Sequence, residues 1–365
     1  LDAAMTGGAG QSGEAIKRGL VIALEEINAA GGVLGRPLEL VVRDNHGMPD
    51  RGVDNIEALS QLDDLVAVVG GIHTPVAMAE LKTIHRNELL YLAPWAAGTL
   101  LVDNGHDPNF VFRLSVRDEY AGGYLIKAAM QRGFKRPGLL LWRTSWGRSN
   151  ETAMKTAMTR MGMEPAGVQW FNTSERDLSD QIDELVLAGA DVIMLVASPT
   201  DGRTAVKEMA RRTQEHRLPI ISHWGITGAD FVAMAGGAVD KVDLTFLQTY
   251  SFFEPPFPEK SERFYQTYCA RFGPCESKAD VISPVGTAHA YDLLHLLKLA
   301  IDKAGSIDRG AVRAAMEQLG RHEGLVRVYD TPFTAARHDA LDESDFRLCR
   351  YGPDGAIIPV SIAGN

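Results

Sequence analysis

The sequence predicts an α/β fold made of two doubly wound, Rossmann-like lobes, each a parallel sheet with helices on both faces. Three observations lead there. Apolar segments of strand length alternate with amphipathic helical segments along most of the chain. The strand segments are almost continuously apolar, as strands buried on both faces are. The alternation runs to about Arg117 and then begins again, so one lobe follows another. A chain of 365 residues that is 45% hydrophobic can bury two cores.

Taken in order, GEAIKRGLVIALEEINAAGG carries apolar residues at helical spacing and stops at Gly31-Gly32, which can take the left-handed conformation that ends helices. PLELVVRD predicts a strand, DRGVDNIEALSQL a helix and LVAVVGG a buried strand. PVAMAELKTIHRN opens with Pro75, whose missing N–H costs nothing in a first turn. The strands LLYLAPW and FVFRLSV follow. After Arg117 the rhythm resumes with the helix DEYAGGYLIKAAMQRG, the strand PGLLLWR and the helix NETAMKTAMTRMG. It continues through GVQWF, LSDQIDELVLAG, DVIMLVAS, GRTAVKEMARRTQEH, LPIISHW and DLTFLQTY.

The last third breaks the pattern. KSERFYQTYCARFG, PVGTAHAYDLLHLLKLAIDKAG and DRGAVRAAMEQLG are helices with no strand between them, and the short strands LVRVYD, FRLCRYG and AIIPVS come last. The chain is therefore expected to return to the first lobe and then add edge strands to the second. Crossings are placed near LSVRD, LQTYSF and VRVYD, which gives residues 1–117 and 250–326 to lobe 1 and 118–249 and 327–365 to lobe 2.

A net charge of −10 argues against nucleic acid or an anionic membrane as partner, since both need basic patches. No apolar run approaches the roughly 20 residues of a membrane helix. The chain opens at Leu1 inside what should be a strand, so its natural start, with any signal peptide, is expected upstream. Of Cys269, Cys275 and Cys349, the first two could close a small loop in an oxidising compartment or remain free thiols. No Cys/His spacing matches a zinc site, and no metal or cofactor is expected.

In open parallel sheets ligands bind outside the carboxyl ends of the strands. Those ends carry MTGGAGQSGE, then Ile72-His73-Thr74, then Trp95-Ala96-Ala97-Gly98, and, in the second half, Trp142 to Gly147, Pro199-Thr200-Asp201 and His223-Trp224. Four of the five tryptophans fall at strand ends, either as walls of an aromatic-lined cleft or as plugs at the edge of each core. GAGQSG matches a dinucleotide-binding G-x-G-x-x-G, but no constellation for hydride transfer accompanies it, and a turn opening a helix is the better reading. There is no nucleophile elbow, P-loop or H-E-x-x-H. His85, His289 and His295 fall inside helices, and the acidic run DALDESD reads as a solvated turn, not a calcium loop. These observations favour a binding protein over an enzyme.

GLVIALEEINAAGGVLGRPLELVVRDN, LVAVVGGIHTPVAMA, YLAPWAAGTLL and NFVFRLSVRDEYAG resemble the leucine/isoleucine/valine-binding group of periplasmic solute-binding proteins, which serve ABC importers. The resemblance covers essentially the whole chain. It implies type I lobes joined by three crossovers that close on a ligand, with a membrane permease as partner, a periplasmic or lipid-anchored extracellular location, and a monomer.

The resemblance also assigns roles. A hydroxyl after the third strand falls on Thr74; backbone N–H groups for the ligand carboxylate fall on Ala96 and Gly98, with Ile72 and His73 alongside. Helix N-termini favour an anion there. The aromatic that covers the ligand falls on Trp146 in SWGRS. The family's aromatic in the Gly-rich loop falls on Ser12, which leaves more room. Where its amino-acid binders place an acid for the ligand ammonium, this chain has Trp224 beside His223, and the nearest candidate acid is Asp201. A pocket so altered is expected to suit an aromatic or branched organic acid better than a branched-chain amino acid. A ligand-sensing regulator of the same fold is the alternative, and a dehydrogenase a remote one.

Overall fold

The computed structural model describes residues 1–361. It divides into two compact units, Leu1–Arg117 with Pro255–Asp342, and Asp118–Glu254 with the segment from Glu343 on. The architecture is α/β, with sheets that are mainly parallel.

The first stretch of unit 1 runs β1 (Asp2–Ala3), α1 (Gly10–Ala29), β2 (Arg43–Asp44), α2 (Pro49–Ser60), β3 (Ala67–Val69), α3 (Thr74–Arg86), β4 (Leu90–Ala93), α4 (Thr99–Val102) and β5 (Val111–Arg113). β1 pairs with β2, and β3, β4 and β5 form a second sheet; every pairing is parallel. The expected strand PLELVVRD shrinks to its last two residues. Asn28 engages both backbone groups of Leu38, taking its N–H at 2.7 Å and donating to its carbonyl at 2.9 Å, which withdraws that stretch from a ladder. Pairing with the first strand begins only where the Leu1 ammonium donates to Val41 O (2.8 Å).

The chain then builds unit 2 with α5 (Asp118–Gln131), β6 (Pro137–Trp142), α6 (Ser145–Arg160), β7 (Gly167–Phe171), α7 (Ser179–Leu187), β8 (Val192–Val196), α8 (Pro199–Arg211), β9 (Ile220–Ser222), α9 (Phe231–Ala235) and β10 (Leu244–Gln248). It returns to unit 1 for α10 (Pro258–Phe272), α11 (Pro284–Ala304), α12 (Arg309–Met316) and the hairpin β11 (His322–Glu323) and β12 (Val328–Tyr329). β13 (Arg347–Tyr351) and β14 (Ile357–Val360) close unit 2. Its seven-stranded sheet has the order β14-β13-β10-β9-β8-β6-β7, parallel except for the last two strands of the chain, which pair antiparallel at one edge.

Two crossings lie later than the sequence suggested. Residues 250–254 stay with unit 2, where Ser251 Oγ donates to Ile357 O (2.6 Å) and Arg347 donates to Glu254 O (3.0 Å). LVRVYD stays with unit 1 because the buried Asp292 of α11 accepts from Leu325 N (2.7 Å), Val326 N (3.0 Å) and Tyr329 Oη (2.7 Å). Residues 327–342 therefore belong to unit 1, not to lobe 2, and the last four residues assigned to that lobe lie outside the described ones.

Helix packing decides which glycines are needed. A Cβ at Gly19 of α1 would stand 2.1 Å from Thr287 O of α11, so only glycine lets these two helices approach. Gly13, the last glycine of GAGQSG, likewise faces Ala4 O at 2.1 Å, so it seats α1 on the first strand. Cys269 and Cys275 form a disulfide at the end of α10, and Cys349 is a buried free thiol whose pKa burial pushes up to about 12.

Unit 1 also buries two carboxyl groups together. Asp2 accepts from Asn45 Nδ2 and Asn55 Nδ2, both at 2.7 Å, while Glu80 accepts from Tyr91 Oη at 2.8 Å. Burial first, and then the charge of Asp2, holds Glu80 well above the usual carboxylic range. The folded state thus keeps a proton that the unfolded chain gives up above about pH 4.3. Stability falls as pH rises from that value through the folded pKa, by about 1.4 kcal/mol per pH unit between the two. Glu80→Gln keeps the shape without the titration, so urea midpoints at pH 5 and pH 8 should differ less in the variant than in the parent.

Candidate functional site

In unit 1 the carboxyl ends of β3 and β4 bring Thr74 and Gly98 together. Gly98 N donates to Thr74 Oγ1 at 3.1 Å, which leaves the threonine hydroxyl proton free to be donated at the start of α3. A Cβ at Gly98 would stand 2.4 Å from the Thr74 methyl, so glycine is required for the contact. The Gly98 N–H assigned to a ligand carboxylate is therefore engaged with Thr74 in this conformation. Ile72 and His73 are half-buried beside them, and desolvation pushes the His73 pKa down to about 4, which keeps the ring neutral. Ala96 and Ala97 are buried.

Trp95 is a core plug. Ser115 Oγ donates to its carbonyl (2.7 Å), and the indole packs so closely on α11 that a Cβ at Gly286 would stand 2.4 Å from the ring. Ser12 is buried within the first turns of α1, not displayed on a loop.

Unit 2 gathers residues that are far apart in sequence. Thr144 caps α6, accepting from Gly147 N (3.3 Å), and sets Trp146 in the first turn. Trp146 Nε1 donates to Asp118 Oδ1 (3.1 Å), and His223 Nε2 stands 3.2 Å from the same oxygen, in ion-pair range but off the hydrogen-bond direction. His223 Nδ1 accepts from Trp224 N (2.9 Å), which places the imidazole proton on Nε2, facing Asp118. The Trp146 and His223 rings meet edge to face, 5.0 Å between centroids at 84°.

Asp118 and His223 are fully buried, and Asp118 Oδ2 has no hydrogen-bond partner. Ser145 Oγ and Asn150 Oδ1, on either side of Trp146 in sequence, are also buried without partners. Buried polar atoms are normally satisfied, so a cluster that is not is a candidate binding site. The two neighbours of this carboxyl group, the Trp146 indole and the His223 imidazole, both lie against Oδ1 and leave Oδ2 open.

Trp142 donates to Thr173 Oγ1 (3.0 Å) and packs edge to face with Trp146 at 6.5 Å. Trp142, Trp146 and Trp224 are 8%, 7% and 1% exposed, so none presents an open ring face. Asp201 is consumed locally: Ser174 N donates to one oxygen (2.8 Å) and Ser198 Oγ to the other (2.7 Å), with Thr200 half-buried beside it. Burial raises its pKa. Beside these rings the acid with an unsatisfied oxygen is Asp118, which the sequence offered only as a helix start in SVRDEYAGG. DALDESD is not wholly solvated either, since Asp339 is buried.

The model of the periplasmic binding protein family matches residues 3–352, and the chain belongs to that family. Leu/Ile/Val-binding protein homolog 2 of Brucella abortus is 25% identical over 357 residues, 97% of this chain and 91% of that protein. Among solved structures, a solute-binding protein of an ABC transporter from R. palustris in complex with benzoate superposes with a TM-score of 0.81 at 19% identity, covering 100% of this chain and 95% of that one. The branched-chain amino acid transporter substrate-binding protein of Streptococcus pneumoniae, in complex with isoleucine, gives 0.82 at 18% identity, with 98% and 97% covered. These two structures share this chain's fold.

Gly225 tests the ring cluster. A Cβ there would stand 2.4 Å from Ala197 O and 2.5 Å from the Trp146 ring. Gly225→Ala should cost about 1–3 kcal/mol by overpacking, with a changed near-ultraviolet circular dichroism signal from the displaced indole. An unaltered melting point and spectrum would contradict the packing described.

Proposed function

We propose that the protein is the extracytoplasmic solute-binding component of an ABC importer and that its ligand is a hydrophobic α-amino acid. The reading extends to a periplasmic or lipid-anchored monomer that delivers its ligand to a membrane permease and carries out no chemistry on it. The observation that carries it is the buried Asp118 oxygen left without a partner. An ammonium group supplies the missing donor, and a charged donor makes the stronger bond to a carboxylate. Unit 1 by itself offers a candidate carboxylate anchor in Thr74, whose hydroxyl proton is unspent beside the N-terminus of α3.

This reverses the expectation that an organic acid is preferred. That expectation rested on Trp224 standing where an acid was looked for; Asp118 meets the same need from another element. An aromatic acid is the second reading: the Trp142–Trp146–His223 cluster borders Asp118, and its ring faces, covered in this conformation, would have to open to receive it. The benzoate complex of the R. palustris neighbour is consistent with it.

Calorimetric titration with isoleucine, phenylalanine, benzoate and 4-hydroxybenzoate separates the two. The amino acids should bind and benzoate should not; binding of benzoate alone would overturn the first reading. Asp118→Asn should cost amino-acid binding about 2–5 kcal/mol, the range for one partner of a buried charge pair. Thr74→Val should cost about 1.5–3 kcal/mol, as loss of a hydrogen bond to a charged group does. Unchanged affinity in either variant, with the fold intact, removes that residue from the site.

A further inference from the structure

Arg113 ends β5 with its guanidinium fully buried. Nη1 donates to Gly98 O (2.8 Å) and Nε to Asp339 Oδ1 (2.5 Å). The backbones run together too, since Arg113 N donates to His338 O (2.8 Å) and Ala340 N to Arg113 O (2.9 Å). The other oxygen of Asp339 accepts from Arg117 Nη1 (3.2 Å), and the same Nη1 reaches Asp103 Oδ1 (3.1 Å). Asp103 directly follows α4, the helix that Gly98 introduces, so these bonds close a ring.

The positions of the ring members along the chain give it meaning. Gly98 donates its N–H to Thr74. Arg117 is the last residue before the chain first leaves unit 1, and Asp339 lies just before Asp342, where it leaves for the last time. One carboxylate therefore touches both the side chain that holds the Gly98 carbonyl and the residue at a crossing.

We propose that Asp339 is a positioning residue that couples the anion-binding turn at Gly98 to two of the three chain crossings. A change at Gly98 O moves Arg113, and Arg113 cannot move without Asp339, because a guanidinium out of water cannot be left unpaired. Asp339 in turn holds Arg117. The importance of the Gly98–Thr74 turn rests on the function proposed above, but the coupling is measurable without any ligand, so the two can fail separately.

The test is residue-resolved amide hydrogen exchange on the ligand-free protein, which reports local opening. The reporters are Gly98, Ala340 and, as a remote control in unit 2, Ile193, whose N–H is bonded to Pro219 O. Asp339→Asn should speed Gly98 and Ala340 together, by about tenfold or more, and leave Ile193 unchanged. Arg117→Gln removes the contacts to both Asp339 and Asp103, so Gly98 should speed in this variant too, though less than in Asp339→Asn. No change at Gly98 there would overturn the coupling to the Arg117 crossing. Should Asp339→Asn fail to fold, Asp339→Glu keeps the charge on a longer arm and should speed Gly98 and Ala340 in step. Unchanged exchange at Gly98 in a folded Asp339 variant overturns the proposal. So does equal acceleration at Ile193, which would mark a general loss of stability.

Discussion

Parallel pairing is the constraint from which the functional features follow. When β3, β4 and β5 run in one direction, as do β6 to β10 in unit 2, their carboxyl ends in each unit collect at one edge with the N-termini of the following helices. Each such turn must stop a strand, cap a helix and leave backbone N–H groups directed outward. Thr144 and Ser198 meet the capping need with side-chain oxygens. Thr74 instead receives the N–H of Gly98 from the neighbouring turn, which ties two strand ends to each other. Groups from distant parts of the sequence are thus brought within hydrogen-bond reach by the sheet itself.

Much of this was legible because it depends on local composition. The continuous apolar runs that became β6 and β8 can only be strands covered on both sides, and Gly31-Gly32 after α1 is a helix stop whatever the tertiary setting. The two-lobe rhythm and the first crossing at Arg117 follow from the same periodicity. PLELVVRD failed for a reason no periodicity holds: a side chain ten residues upstream, Asn28, occupies the backbone of Leu38. The late crossings were hidden likewise, because Asp292 captures LVRVYD from a helix far earlier in the chain.

The site shows the same division more sharply. Position at a strand end singled out Thr74, Trp146 and His223. The acids could not be sorted that way. Asp118, Asp201 and Asp339 all look like ordinary polar residues at helix starts or in turns, and the structure gives them three different fates. Asp201 is saturated by its own loop, Asp339 is locked between two arginines, and Asp118 keeps an open oxygen. The difference lies in which donors the tertiary fold delivers. Among the tryptophans, Trp95 fills the space above Gly286, a reading the sequence left open against the cleft wall.

The cysteines bear on how such a protein can be put to use. Two are joined to each other, and Cys349, buried and with its thiol held near pKa 12, offers essentially no thiolate at neutral pH. The parent chain is therefore silent toward maleimides and iodoacetamides. A cysteine introduced at an exposed position such as Leu187, 81% accessible on unit 2, would be the sole reactive thiol among the described residues. A fluorophore attached there needs no prior removal of native cysteines, so the protein comes ready to be made into an optical reporter for its solute.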